Sequence, residues 1–247
     1  MLTAAGAART AMRTLLLPPL AAGCLGDFLL SGAGKSIRDR VRWLSRASVQ
    51  HTKWIGVRIR VHGEIPGGGL IVANHVSYVD IIALSAIAGC AFVSKKEVAR
   101  WPVFGLYARL SATVFVDRER RGAVAEAAPE MRARLDAGVP LTLFPEGTST
   151  DGSDVLPFRS SLFEPVVELG CPVTACALRY SLDGGSVADE VAYWREMTLA
   201  PHLLNLLGKT GVTLDMHFGP SSRRTGDRKT LARDLHAEVR ALLLGTP

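Results

Sequence analysis

The chain has 247 residues, 48% of them hydrophobic, with a formal charge of +6, which is enough to bury one substantial core and does not demand a second domain. The charge is uneven: residues 1–62 hold ten basic and two acidic side chains, so the remainder is slightly acidic. Four cysteines sit in apolar sequence without metal-ligand spacing, which argues against a zinc module or a disulfide framework and suits a reducing compartment.

Residues 14–30 are rich in Leu and Ala and lead into Lys35, Arg38, Arg40, Arg42 and Arg46. Basic residues beside apolar surface meet either nucleic acid or anionic lipid headgroups. Phe28 is the one aromatic side chain in that stretch, so an anionic membrane surface is the expected partner and nucleic acid is not. A spanning helix needs about 20 consecutive apolar residues. Here Pro18 and Pro19 interrupt the run and Asp27 puts a charge in it, so the segment is expected to lie in the interface or dip into one leaflet. A secretory signal peptide, with Arg9 and Arg13 ahead of the apolar residues 15–26, is the competing reading. From Ile37 onward, apolar residues at Val41, Leu44, Ala47 and Trp54 with arginines between them predict an amphipathic helix. Residues 1–55 thus read as a basic, apolar, membrane-associated helical segment and residues 56–247 as the globular domain.

Residues 57–62 alternate apolar and basic side chains, as in a strand exposed on one face, and a glycine-rich turn with Pro66 follows. Residues 70–73 form a short continuous apolar run, the pattern of a strand covered on both faces. Further strands are predicted at residues 91–94, 112–116, 141–144, 173–179 and 212–218, with helical periodicity at residues 81–87, 123–135, 161–169 and 229–244. Strands alternating with helices indicate an α/β layer fold.

Three stretches at predicted strand ends carry chemistry, and strand ends of α/β sheets are where sites form. The first is Asn74-His75-Val76-Ser77-Tyr78-Val79-Asp80. A neutral histidine can take a proton from an alcohol, and an aspartate can hold its tautomer and stabilise the imidazolium. On a continuous helix, positions five apart point about 140° away from each other, so His75 must precede the helix for the pair to meet. Ser77-x-x-Asp80 is equally a capping-box pattern, and both readings can hold, because an Asp fixed by a cap is a pre-oriented partner. The second stretch, Phe144-Pro145-Glu146-Gly147-Thr148-Ser149-Thr150, offers a carboxylate, three hydroxyls and a glycine that permits close backbone approach; its bland reading is a hydroxyl-rich turn. The third, Val114-Phe115-Val116-Asp117-Arg118, delivers an Arg suited to phosphate or carboxylate, or else to a surface ion pair.

Together these stretches, with Cys171-Pro172-Val173-Thr174-Ala175 after them, resemble the PlsC-type lysophospholipid and glycerolipid acyltransferases, whose NHxSxxD box, strand-end Arg, FPEGT box and apolar-Pro-Val segment occur here in order. The resemblance implies an α/β domain with a central mixed sheet flanked by helices, preceded by helices resting on the membrane. It implies His75 as general base and Asp80 as its orienting acid, with Arg118, Glu146, Gly147, Thr148 and Arg159 binding substrate. The implied reaction moves a fatty acyl group from acyl-CoA or an acyl carrier protein to the free hydroxyl of a lysolipid acceptor. No bound cofactor is expected, the thioester being a co-substrate. The family suggests 1-acyl-sn-glycerol-3-phosphate as acceptor. However, many family members using that lipid carry Lys-x-Gly after the FPEGT box, where this chain reads Arg159-Ser160-Ser161. That wording, with Tyr193-Trp194-Arg195-Glu196-Met197 downstream, is similar to lyso-ornithine lipid acyltransferases, the alternative reading. The expected location is the cytoplasmic face of the inner (plasma) membrane, peripheral or monotopic. Other classes fit less well. Gly34-Lys35-Ser36 lacks the earlier glycine and preceding strand of a P-loop, there is no G-x-S-x-G elbow, and a non-catalytic lipid-binding protein leaves the strand-end His, Asp, Glu and Arg unexplained.

Overall fold

The structure is a computed structural model and describes residues 4–101, 103–117, 120 and 122–245. Two long helices come first, α1 (Ala4–Leu30) and α2 (Ile37–Ile55), joined through a short 3-10 turn at Ala33–Lys35. The Ser36 side chain caps α2 by accepting the Asp39 N–H, and Gly56, at φ +83°, ends it in the left-handed region open to glycine. Its arginines lie outward while Val41, Trp43, Leu44, Ala47 and Ile55 are buried, the predicted amphipathic arrangement.

Pro18 and Pro19, which interrupt the apolar run in the sequence, lie inside one continuous helix. A proline φ suits a helix, and what it removes is one main-chain donor. Tertiary contacts on both sides of the prolines hold the helix in line. Before them, Arg9 donates to the Gly208 carbonyl and Arg13 to those of Leu207 and Lys209. After them, the buried Trp43 indole N–H donates to the Cys24 carbonyl at 2.7 Å, and Arg46 pairs with Asp27 at 2.7 Å. α1 is long and apolar enough to cross a membrane by length and composition, and it leaves Met12, Leu15, Leu16, Leu29 and Leu30 exposed.

Among the described residues eight strands follow: β1 (Arg58–His62), β2 (Leu70–Ala73), β3 (Ala91–Lys95), β4 (Val114–Val116), β5 (Leu141–Leu143), β6 (Pro172–Leu182), β7 (Val212–Phe218) and β8 (Ser222–Arg223). They form one sheet in the order β1-β7-β6-β2-β5-β3-β4, with β8 beside β6. β2 lies parallel between β5 and β6, whereas β7 runs antiparallel to β6, so the sheet is mixed as expected. Because side chains alternate across a strand, Leu70 and Val72 enter one core while Ile71 and Ala73 enter the other.

The remaining helices are α3 (Val79–Ala88), α4 (Phe104–Leu110), α5 (Ala123–Glu126), α6 (Ala128–Asp136), α7 (Glu164–Leu169), α8 (Val187–Glu190), α9 (Leu199–Leu207) and α10 (Arg228–Leu244). α5, α6, α7 and α10 cover one face of the sheet, and α3, α4, α9 and most of the buried side of α2 cover the other. Two predicted helices are divided by prolines. Pro129 restarts the 123–135 segment as α6, and Pro165 starts α7 after a 3-10 turn at Ser160–Phe163. α4 and α9 had no counterpart in the sequence reading, although α9 is amphipathic, burying Leu206 and Leu207.

Candidate active site

Two central strands, β2 and β5, stop at the same level of the sheet beside β6, which runs on past them, and their loops close over one another there. β2 stops at Ala73, and the fully buried Asn74 side chain continues its pairing. It donates to the Leu178 carbonyl at 3.0 Å and accepts the Leu178 N–H at 2.7 Å. A side-chain amide thus does the work of a peptide, and the main chain is free to turn away from the sheet at His75.

The helix begins late enough for the dyad to form. Tyr78 is the residue before α3, so His75 lies in the loop and Asp80 in the first turn. The Asp80 carboxylate is fully buried and folds back over the helix start, where unpaired N–H groups and the helix dipole favour an anion. One oxygen, Oδ2, accepts from His75 Nδ1 at 2.8 Å, Val76 N at 2.7 Å and Ser77 N at 3.0 Å. The other, Oδ1, accepts from the Tyr180 hydroxyl at 2.6 Å. Burial first, and the Asp80 charge second, push the Tyr180 phenol well above its usual range, which keeps it a donor. Only half of the capping box forms, because the Ser77 hydroxyl is buried without a partner among the described residues. The carboxylate therefore both caps the helix and fixes the histidine.

With Nδ1 bonded to a carboxylate, the tautomer that places the proton there leaves a lone pair on Nε2. That nitrogen has no partner among the described residues, and about a fifth of the His75 side chain remains exposed. The ring stacks on Phe144, centroids 4.3 Å apart and planes 20° apart, which restrains its rotation.

The loop after β5 grips the same histidine by its main chain. Glu146 accepts the His75 N–H through Oε1 and the Leu156 N–H through Oε2, both at 2.7 Å. Thr150 donates its N–H to the His75 carbonyl at 2.9 Å, with its hydroxyl 3.3 Å from the same oxygen. Glu146 is only 3% exposed. Burial pushes its carboxyl up to about 7, against the opposing pull of the two N–H bonds and of His75. The sequence placed Glu146 against an acceptor headgroup; in the structure both of its oxygens are bonded to main chain, and it braces the loops around His75.

Gly147 has φ +76°, and a Cβ there would fall 2.7 Å from Arg159 Nε, so glycine gives the guanidinium room to lie against the loop. Arg159 is exposed and has no ion-pair partner among the described residues, and Thr148 is exposed beside it. Of the three hydroxyls in the motif, Thr150 serves His75 and Ser149 donates to the Tyr193 carbonyl, which leaves Thr148. Arg118 lies outside the described residues. The sequence reading missed Asn74, Phe144 and Tyr180 as working parts, and no periodicity points to Tyr180. A separate cluster of possible metal ligands, His62, Asp215 and His217, lies on β1 and β7, with Arg60 and Arg179 opposite Asp215 in the sheet register.

A strand-end histidine with Nδ1 fixed by a buried carboxylate, and with no partner for Nε2 among the described residues, has the geometry that general-base chemistry requires. Residues 58–179 match the family model Acyltransferase. The lyso-ornithine lipid O-acyltransferase of Brucella abortus is 39% identical over 204 residues, 76% of each chain. The 1-acyl-sn-glycerol-3-phosphate acyltransferase of Neisseria gonorrhoeae is 30% identical over 192 residues, 76% of this chain and 75% of its own. The crystal structure of the 1-acyl-sn-glycerophosphate acyltransferase PlsC from Thermotoga maritima has the same fold, with TM-score 0.66 at 20% identity over 95% of this chain and 96% of that one. The chain belongs to the acyltransferase family.

Proposed function

We propose that the protein transfers a fatty acyl group from an acyl thioester to the free hydroxyl of a lysolipid, with His75 as general base. The observation that carries this is the 2.8 Å bond from His75 Nδ1 to the buried Asp80, with Nε2 left unpartnered among the described residues. The acceptor hydroxyl gives its proton to Nε2 as its oxygen attacks the thioester carbonyl. Asp80 stabilises the resulting imidazolium. As the tetrahedral intermediate collapses, the C–S bond breaks and the imidazolium returns the proton to the departing thiolate, so an ester and a free thiol leave.

The main-chain N–H groups of Val76 and Ser77 are taken by Asp80, and that of Gly147 points to the Phe144 carbonyl. Among the described residues the N–H groups of Glu146, Thr148 and Ser149 carry no hydrogen bond, and these are the loop's candidate donors to the oxyanion. Arg159 supplies a cation at the mouth for an anionic part of a substrate. The donor is acyl-CoA or an acyl carrier protein thioester.

For the acceptor we take lyso-ornithine lipid first. What supports it is the higher identity to relatives of that name, 39% in Brucella abortus and 36% in Rhizobium meliloti. 1-Acyl-sn-glycerol-3-phosphate is the second reading, supported by the relative at 30%. The apolar α1 and the lipid-acting relatives associate the protein with a membrane. We place it at the cytoplasmic face of the inner (plasma) membrane, peripheral or monotopic, where the basic residues of α2 would meet anionic headgroups.

The test is acyl transfer by purified protein in lipid vesicles, with both acceptors against both thioesters. His75→Ala is expected to lower kcat by about 10³-fold or more, by analogy with loss of a general base elsewhere. Full activity in that variant would remove His75 from the mechanism.

A further inference from the structure

Next to the dyad is a cavity of about 420 Å³, bounded by Asp151 and the turn after it, Arg179 and Tyr180 of β6, Ala188 of α8, and Leu243 and Leu244 at the end of α10. Three contacts join its walls to the catalytic loop. Tyr180 bonds Asp80. Thr150, the residue before Asp151, bonds the His75 carbonyl. A Cβ on Gly152 would stand 3.3 Å from Val76, so this turn packs directly on the residue after His75.

The 193–197 segment adjoins the cavity wall at Ala188 and Asp151. It is tied to both motif loops, since the Tyr193 N–H donates to the Val76 carbonyl at 2.9 Å and the Tyr193 carbonyl accepts from Ser149. The Trp194 indole N–H donates at 2.8 Å to the carbonyl of Ala188 in the cavity wall. The Arg195 guanidinium then lies 3.7 Å over that indole ring. Arg195 is held at φ +54°, in the left-handed region that non-glycine residues avoid. Such conformations persist where the surroundings over-determine them, commonly at ligand clamps.

Asp151 supplies the opposite charge. Its Oδ1 accepts the Ser153 N–H at 3.0 Å and the Ser153 hydroxyl at 2.7 Å. Those bonds, and the nearby Arg195 charge, hold the carboxyl below its usual range, so it is anionic at neutral pH. The cavity thus carries an anion and an arginine on its wall, Asp151 and Arg179, with the Arg195 charge near Asp151.

We propose that this cavity receives the charged end of the acceptor and that Asp151 and Arg195 select a headgroup bearing both a cation and an anion, Asp151 facing the amine and Arg195 the carboxylate. The inference rests on the reading of lyso-ornithine lipid as acceptor. An ornithine headgroup carries a carboxylate and a side-chain amine that is protonated at neutral pH. A phosphomonoester brings only negative charge, which Asp151 repels.

The experiment measures kcat and KM for wild type and Asp151→Asn on lyso-ornithine lipid, on the same lipid with its amine acetylated, and on 1-acyl-sn-glycerol-3-phosphate. Asparagine keeps the oxygen that accepts from Ser153 and removes the charge. Loss of one charge-assisted contact predicts a rise in KM for lyso-ornithine lipid of about tenfold or more, with use of the phosphate acceptor held or raised. Acetylation should penalise wild type and add no further penalty in Asp151→Asn, a pattern that a merely structural role would not produce. As a second variant, Arg195→Gln should lose the preference for the free carboxylate over its methyl ester. Equal losses on both acceptors, or the same acetylation penalty in both proteins, would overturn the assignment while leaving the acceptor reading intact. If wild type acylates only the phosphate acceptor, the acceptor reading falls and this inference with it.

Discussion

Glu146→Gln separates two roles for the FPEGT carboxylate. Gln matches Glu in shape but has one acceptor where the protein presents two N–H donors, those of His75 and Leu156, each at 2.7 Å. One buried N–H must then face an amide N–H, which costs about 1–3 kcal/mol. A pH dependence is superimposed on this loss. Burial raises the Glu146 carboxyl from 4.5 to about 7, so between those values the folded protein binds more protons than the unfolded chain. By linkage, this group's contribution to stability falls as pH rises through that window, by up to about 3 kcal/mol. The Gln variant lacks that slope. It is expected to melt below wild type at pH 5, with the gap narrowing or closing by pH 8. Activity should be lost in kcat, because the His75 loop is no longer held, with KM for the acceptor unchanged. Thermal melts at the two pH values and steady-state kinetics at fixed vesicle composition read both effects. If the melting curves superimpose on wild type at both pH values and only the acceptor KM rises, the bracing role is refuted and Glu146 returns to headgroup contact.

Tyr180→Phe removes the donor to Asp80 Oδ1 and should cost about 1.5–3 kcal/mol, the worth of a bond to a charged group. In a chain of this size that is about 3–12 °C in Tm. Because Oδ2 still holds His75, kcat should fall by less than about tenfold, far less than removal of a general-base histidine costs; an unchanged Tm would show that the Tyr180 bond contributes nothing. Gly147→Ala meets two penalties, its φ of +76° and the Arg159 guanidinium 2.7 Å from the new Cβ. The first costs about 1–2 kcal/mol, and the second should vanish in an Arg159→Ala background. A double-mutant cycle in Tm should therefore show coupling, and strict additivity would mean that Arg159 does not lie against Gly147.

The parts of the site legible in the sequence are those whose partners are close along the chain. His75 and Asp80 are five residues apart, and the requirement that His75 precede the helix follows from helix geometry alone; the structure starts α3 after Tyr78. The continuous apolar run of β2 likewise announced a strand buried on both faces. Tyr180 was not legible, because it reaches Asp80 across 100 residues through the register of β6 beside β2. The same holds for the Asn74 bond to Leu178, 104 residues away. In α1 the expected helix forms, and what the sequence did not contain is the set of pins from Arg9, Arg13, Trp43 and Arg46 on both sides of Pro18 and Pro19.

By itself the sequence determined the pairing of His75 with Asp80, the strand that presents them and the basic apolar front end, because these depend on side-chain identity and short-range geometry. Only the tertiary structure decided what the remaining carboxylate does. Glu146 and Asp80 are similar acids beside the same histidine, yet one meets the imidazole and the other its main chain. That division is set by where β2, β5 and β6 end relative to one another, a property of strand register that no local stretch of the chain contains.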